Sequence, residues 1–558
     1  MERLTPGHRQ PPPSLLAMAD STSKSKARGF ERHALTVTVL TVLSRFGGLA
    51  REACFGRLIG VSDAASAFGF AFLVPNLFRR LFGEGALSAA LVPEQTRLEE
   101  KDPRAAARLA ALVLARVGLF LAAIAVVGEL VIAFIPSSGD DLGLELLAIT
   151  LPYMPLVCLT AVAGAVLQVR GRFAPAAAAP VLLNLSLVIA VFIAWWRGDG
   201  TVDGSTIGIV GWGVVFAGVA QAIWTLWEVR RTSPVEEANA LADRRAARRA
   251  RFGFRRVVFQ ALPMILGLGV LQLNTFLDGL IASWPTIVGP TILGHPYPLQ
   301  DTAMATLGYA QRLYEFPLGV FGIAVATAIF PQLTRERDDV SRFAATLRRG
   351  LRLAMFIGLP ASLGIAVVRR SFVAVVYEGM AFDARDVEIV AFVLLGYAVA
   401  IWSYSINHIL VRAFYARREP MTPVRIAIGM VLLNLTLNLT LVFTTPLGVA
   451  GLAWSTAVCA IIQTMILGRV LASRSGTLAD RLVVGSILKT VACTAAMLVA
   501  VVIAMNTIPF SMIEDTWLSA FVELSSLALI GGAVFIVTAR GLGMPELGWA
   551  LGRDVAVE

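Results

Sequence analysis

Long apolar runs, each bounded by charge, Gly or Pro, recur fourteen times along the chain. They predict spans 1 to 14 over 34–59, 62–94, 107–135, 143–168, 176–196, 206–229, 257–284, 302–333, 350–369, 387–413, 424–444, 447–468, 483–507 and 517–539. A membrane-crossing helix needs roughly 20 apolar residues. Fourteen of them joined by short loops leave no room for a large water-soluble catalytic domain. The pattern therefore predicts an all-α polytopic membrane protein with about fourteen transmembrane helices.

The distribution of basic residues tests this division, because short cytoplasmic loops collect Lys and Arg. With the N-terminus inside, the inside segments hold 36 of the 48 basic residues and the outside segments four: Arg197, Arg369, Arg370 and Arg385. One missed span would invert every later loop and destroy the bias. Both termini are therefore expected in the cytoplasm.

Composition agrees: 57% of the 558 residues are hydrophobic and 15% charged, against about 25% charged in soluble proteins. That excludes a soluble, a disordered or a disulfide-stapled chain. Cys54, Cys158, Cys459 and Cys493 all lie in apolar stretches without metal spacing and read as small buried hydrophobes. Residues 1–33 are polar and read as a disordered cytoplasmic tail. The net charge of +10 sits in membrane-flanking loops, which favours a membrane surface or an anionic substrate over nucleic acid.

Two matches suggest an internal repeat. Gly85–Pro93 followed by Glu-Gln-Thr-Arg97 resembles Gly322–Pro331 followed by Gln-Leu-Thr-Arg335, and Val181-Leu-Leu-Asn-Leu185 matches Val431-Leu-Leu-Asn-Leu435. Two parallel-related six-helix halves follow, 34–229 and 257–468, joined by a basic cytoplasmic linker, 230–256. Helices 13 and 14 with a tail complete the chain over 469–558. Parallel repeats are a transporter architecture with the substrate site between the halves.

Eight basic residues fall inside spans: Arg45, Arg51, Arg57, Arg79, Arg80, Arg116, Arg312 and Lys489. An Arg at a helix centre costs about 2.5–3.5 kcal/mol on insertion scales. Arg57, Arg116 and Lys489 lie near span ends, where snorkelling explains them. Arg45, Arg51, Arg79 and Arg312 have apolar sequence on both sides and point to a wet cavity. Gly47-Gly48 is a candidate bend that lets Arg45 and Arg51 approach one cavity. Glu52, Asp63, Arg80, Glu84 and Glu315 are the nearby groups for gating or ion pairing. Guanidinium donates two parallel hydrogen bonds and stays charged, so several of them suit a diphosphate better than a single carboxylate. An ion-pair network that locks the bundle is the alternative, and the two are compatible.

A second cluster lies in the other half. Asp278 is one turn from Asn274, and Asn434 and Asn438 share a helix face. Oxygen ligands of this kind suit a hard cation such as Na+; interhelical hydrogen bonding is the plainer account.

At Ser44–Pro93, above all Pro75-Asn-Leu-Phe-Arg-Arg-Leu-Phe-Gly-Glu-Gly85, and at Tyr309–Pro331, the sequence resembles the MurJ (MviN) lipid II flippase family of the multidrug/oligosaccharidyl-lipid/polysaccharide exporter superfamily. The resemblance implies a fourteen-helix flippase of the bacterial cytoplasmic membrane that moves undecaprenyl-linked peptidoglycan precursor outward by alternating access. It implies essential cavity arginines at Arg45, Arg51, Arg79 and Arg312, and acids at Glu52, Asp63 and Glu84. It also implies a lipid-tail groove on spans 13 and 14, and a cation site matching Asp278, Asn434 and Asn438. Lipid II and membrane lipids are the implied partners, with cell-wall synthesis proteins as further candidates. Na+ or the membrane potential is the implied energy source, with no other cofactor. Asn438 stands where an acid would bind a cation better, and Gln311 replaces an acid often seen before the Arg.

Rival readings predict other residues. A flippase for another prenyl-diphosphate glycan would share the cavity. A multidrug/cation antiporter needs an acidic pocket, the reverse of spans 1 and 2. A membrane-embedded enzyme needs paired carboxylates or His in outer loops, and the acids there, Asp140, Asp141, Asp199 and Asp203, show no such pairing. No Gly-Lys-Ser/Thr phosphate loop is present.

Overall fold

The computed structural model describes residues 39–40, 42–83, 86–135, 142–233, 243–476, 478–513 and 515–552. The predicted tail, 1–33, and Glu84 lie outside them. Within them, each of the fourteen predicted spans falls on helix. Among the described residues nine helices are long and apolar enough to cross a membrane, or ten if the pair Ala384–Ala398 and Ile401–Ala416, bent by 41°, is one span. The other four segments are 42–59, 63–101, Arg244–Ile287 and 303–335. These four carry Arg45, Arg51, Arg79, Arg312 and Asp278, so charge concentrates in these less apolar helices.

Helix starts are fixed by short polar side chains. Ser62 accepts from the Ala65 amide at 3.2 Å. Asp102, Asp243, Asp339, Asp383, Asp480 and Asp515 cap later helices in the same way. Each satisfies amides that the first turn leaves without a partner.

The structure departs from the sequence expectation in four places. Residues 244–256, read as linker, continue the span 7 helix, Arg244–Ile287, because Asp243 caps it and Ala246, Ala250 and Val257 bury one face. Span 9 is longer than 350–369: its helix is Val340–Tyr377, with a kink at Val368. Arg369 and Arg370 therefore ride on that helix and not in a loop. Span 1 runs as helix through Gly47-Gly48 without a break. Spans 2 and 8 are each interrupted by a π turn, Arg79–Gly83 and Leu318–Gly322. The two turns sit just ahead of the two matched repeat segments, and π turns concentrate at functional positions.

Packing divides along the membrane normal. One large apolar core draws on both sets of helices, from Phe55 and Phe68 to Tyr377, Phe382 and Leu394. It covers the side of the membrane where span 1 ends. On the arginine-rich side there are two separate cores. One holds Leu98, Leu109, Val166 and Ala250; the other holds Leu333, Leu347, Phe414 and Leu467. The shared side is closed by polar contacts as well. Tyr309 Oη donates to the Gly60 carbonyl at 3.1 Å, Tyr377 Oη donates to the Tyr309 carbonyl at 3.2 Å, and the Ala381 amide donates to the Arg57 carbonyl at 2.9 Å. Spans 13 and 14 pack on span 9 through Phe356, Met497 and Phe535.

The basic residues near span ends find local partners. Arg57 donates to the Val375 carbonyl at 3.2 Å and lies over the Trp517 ring. Arg116 lies over Phe254, and Lys489 donates to the Leu542 carbonyl at the end of span 14.

Gly56 is a tight point of the closed side: a Cβ there would lie 2.5 Å from the Tyr377 ring. Overpacking of this kind costs about 1–3 kcal/mol. Gly56→Ala should lower the midpoint of thermal unfolding in detergent by several degrees. Gly429→Ala, with nothing within 4 Å, should leave it unchanged.

Candidate functional site

A cavity of about 140 Å³ lies between spans 1, 2, 7 and 8, against the closed aromatic layer. Its walls include Arg51 and Glu52 from span 1, Asn76 and Arg80 from span 2, and Gln311, Arg312 and Glu315 from span 8. One span helix alone would place Arg51 and Glu52 on neighbouring faces. Both line the cavity: Arg312 of span 8 pairs with Glu52, and Asn184 of span 5 accepts from Arg51.

Five charges alternate in a chain. Arg51 pairs with Glu52. Arg312 reaches Glu52 at 3.2 Å and Glu315 at 3.1 Å. Arg80 closes the series against Glu315 at 3.8 Å and donates to Gln272 of span 7 at 3.1 Å. The sum is one positive charge, held where the wall is half-buried and interactions are stronger than in water. Each guanidinium keeps donors free to meet an incoming anion.

Asn184 of span 5 fixes the start of this chain, and the sequence reading missed it. Its side-chain oxygen accepts from Arg51 at 3.1 Å, while its amide donates to the Ser44 carbonyl of span 1 at 3.1 Å. The signal was present: Asn184 is the repeat partner of Asn434. Asn76 and Gln272 were missed for a different reason, since single amides in an apolar run carry no spacing signature.

The other expected site residues separate. Arg45 lies against the π turn of span 8, where a Cβ on Gly319 would come 2.6 Å from its Nη1; it is six residues, about 9 Å, from Arg51 along the helix. Arg79 lies outside the central cavity. It folds back on Asn76 at 2.9 Å and lines a neighbouring space of about 330 Å³ with Tyr153 and Gln221. The adjacent Arg80, expected as a gating residue, is the one that enters the cavity. Asp63 begins span 2 on the closed side and lines a third space with Glu145 and Asp301.

The second cluster assembles as a unit apart from the arginines. Asp278, Asn434 and Asn438 are fully buried. Asn438 donates to Asp278 at 2.6 Å and to Asn434 at 2.8 Å, and Thr456 of span 12 donates to Asp278 at 3.2 Å. Ser455 of span 12 donates to Asn438. Among the described residues no basic side chain pairs with Asp278. The donor set is all oxygen with one carboxylate, which suits a small hard monovalent cation and not a transition metal.

A family model described as lipid II flippase MurJ matches residues 55–521. The chain belongs to the lipid II flippase MurJ family. It is 31% identical over 452 residues to the lipid II flippase MurJ of Burkholderia cenocepacia, covering 78% of this chain and 82% of that one. It is 29% identical to a probable lipid II flippase MurJ of Vibrio cholerae, covering 89% and 92%. Among solved structures it is similar to a lipid II flippase MurJ in an inward closed conformation, with a TM-score of 0.71, 21% identity and coverage of 93% and 100%. An inward-facing multidrug resistance MATE transporter of the MOP superfamily matches with a TM-score of 0.60, 14% identity and coverage of 80% and 98%. The likeness to that transporter is one of fold, and the family is one of transporters and not of enzymes.

The charge chain makes a quantitative prediction. Glu52→Gln and Arg312→Gln should each destabilise the detergent-solubilised protein, and the double variant should lose less than the sum. The coupling expected for neighbours in one network is about 0.5–3 kcal/mol. Additive losses would show that Glu52 and Arg312 do not interact.

Proposed function

We propose that this protein carries lipid II, the undecaprenyl-diphosphate-linked peptidoglycan precursor, from the inner to the outer leaflet of the bacterial cytoplasmic membrane. Membership of the family supports the reading, and the cavity of alternating charges between the halves is the observation that carries it. A cation antiporter would need the opposite sign of wall.

The chemistry follows from ion-pair exchange. In the empty state Glu52 and Glu315 hold the three cavity arginines in place. A diphosphate entering from the arginine-rich side offers the guanidinium groups stronger bidentate partners. Arg51 and Arg312 then close on the anion from spans 1 and 8, which brings the two sets of helices together on the side where their cores are separate. The prenyl chain stays in lipid along spans 13 and 14. Both termini lie in the cytoplasm, the side on which the loop arginines collect.

The membrane potential supplies one driving force. With the inside negative, outward transfer of negative charge is downhill by about 2.3 kcal/mol per charge per 100 mV. Na+ is the second. Asp278, Asn434, Asn438 and Thr456 would hold it, neutralising the buried carboxylate. Cell-wall synthesis proteins are the partners that would supply and consume the precursor.

In cells depleted of their own flippase, Arg51→Ala and Arg312→Ala should fail to sustain precursor export. Arg312→Lys should restore it only in part, because Lys offers a point charge and not a fork. Normal export by Arg312→Ala would overturn the site. For the cation, replacing Na+ by K+ at fixed potential should slow translocation of fluorescent lipid II in liposomes by wild type and leave an Asp278→Asn variant unaffected. Equal rates of wild type in the two salts would remove Na+ from the cycle.

A further inference from the structure

The basic start of span 7 is not used by transport as described above, and it builds a second anion-binding surface. The helix Arg244–Ile287 opens with Arg244, Arg245, Arg248, Arg249, Arg251, Arg255 and Arg256 within its first turns. Ala246, Ala250, Gly253 and Val257 bury its other face, so the arginines are held outward on a rigid element and not on a loop. Facing it is the end of span 2, Ala86–Lys101. Between them lies a groove of about 600 Å³ lined by Arg97, Lys101, Asp102, Arg245, Arg248 and Arg249, with Phe252 at its edge.

The charges in this groove are unbalanced. Asp102 takes Arg249 at 2.6 Å and Glu94 takes Arg97 at 2.5 Å. Among the described residues, Arg245, Arg248 and Lys101 have no acidic partner. Three cations thus converge on one groove whose acids are already engaged. The aromatic neighbours fix where it sits. Phe252 is 59% exposed and Phe259, two turns further into the span, is 82% exposed. Arg256 lies over the Phe252 ring at 5.5 Å. Exposed phenyl rings beside arginines at the base of a spanning helix mark the boundary between headgroups and acyl chains.

We propose that this groove binds the phosphate of an anionic phospholipid headgroup, with the acyl chains running past Phe252 and Phe259. A protein or nucleic-acid partner would not account for the apolar rings on the membrane side of the arginines. The groove is shared by span 2 and span 7, so an occupied headgroup ties the arginine-rich end of the first half to the helix that begins the second. The position is distinct from the central cavity, and the proposal stands or falls without the transport reading.

The test uses the full-length protein in nanodiscs and in detergent. Wild type reconstituted with mixed phosphatidylglycerol and phosphatidylcholine should retain phosphatidylglycerol on extraction into detergent. The retained amount should fall steeply with salt, as expected for phosphate contacts. The variant Lys101→Gln/Arg245→Gln/Arg248→Gln should lose that retention at least fivefold. Lys101→Arg/Arg245→Lys/Arg248→Lys should keep it, which separates loss of charge from loss of fold. Arg425→Gln/Arg469→Gln, basic positions elsewhere, should behave as wild type. Equal retention by the Gln variant would overturn the site. Thermal protection by inorganic phosphate alone, equal to that by phosphatidylglycerol, would overturn the lipid assignment in favour of a soluble anion.

Discussion

Guanidinium groups cannot stand alone in hydrocarbon, and this constraint organises the middle of the molecule. Each inner arginine must meet a carboxylate or an amide, so the helices that carry them are bound to one another by complementary polar groups. Arg51 draws Glu52 and Asn184; Arg312 bridges Glu52 and Glu315; Arg80 ties Glu315 to Gln272. Four spans are thereby joined to span 5 around one hollow. Replacing such pairs with apolar residues often costs nothing in stability. Their retention here is better understood as a binding surface than as glue.

Two of these helices, spans 2 and 8, are irregular, and for related reasons. A straight span presents its side chains at fixed angles, whereas a π turn shifts the register of everything beyond it. Spans 2 and 8 both contain such a turn, next to Arg80 in one and beside Arg45 in the other. Backbone irregularity at membrane depth is tolerated where it lines a cavity. The span 2 turn lies in such a place, since Arg79 and Arg80 line two neighbouring cavities.

Much of this was legible in the chain. The fourteen spans followed from apolar runs, and the inner arginines stood out because charge in such runs is costly. Asp278, Asn434 and Asn438 came together as their helical spacing suggested. Which of two adjacent arginines faces the cavity was not legible: Arg79 and Arg80 differ by one helical step, and the π turn that begins at Arg79 decides between them. Asn184 was passed over because an amide is ordinary in membrane helices; its match to Asn434 marked it, and its contact with Arg51 shows what it does. The length of span 9 and the helical start of span 7 were missed because their first turns are amphipathic and basic, a pattern that reads as loop when only apolar runs are counted.

The unequal distribution of apolar cores sets the geometry of any rearrangement. Where the two sets of helices share a single core, the rings of Tyr309, Tyr377 and Phe382 pack together in tilted and edge-on contacts and form a broad dry contact. That layer closes one side, while the cores of the arginine-rich ends stay separate. To swing the other way, the molecule must wet these three rings and hide an equivalent area at the far end. The energy difference between its two orientations is therefore written largely in which aromatic surface meets water.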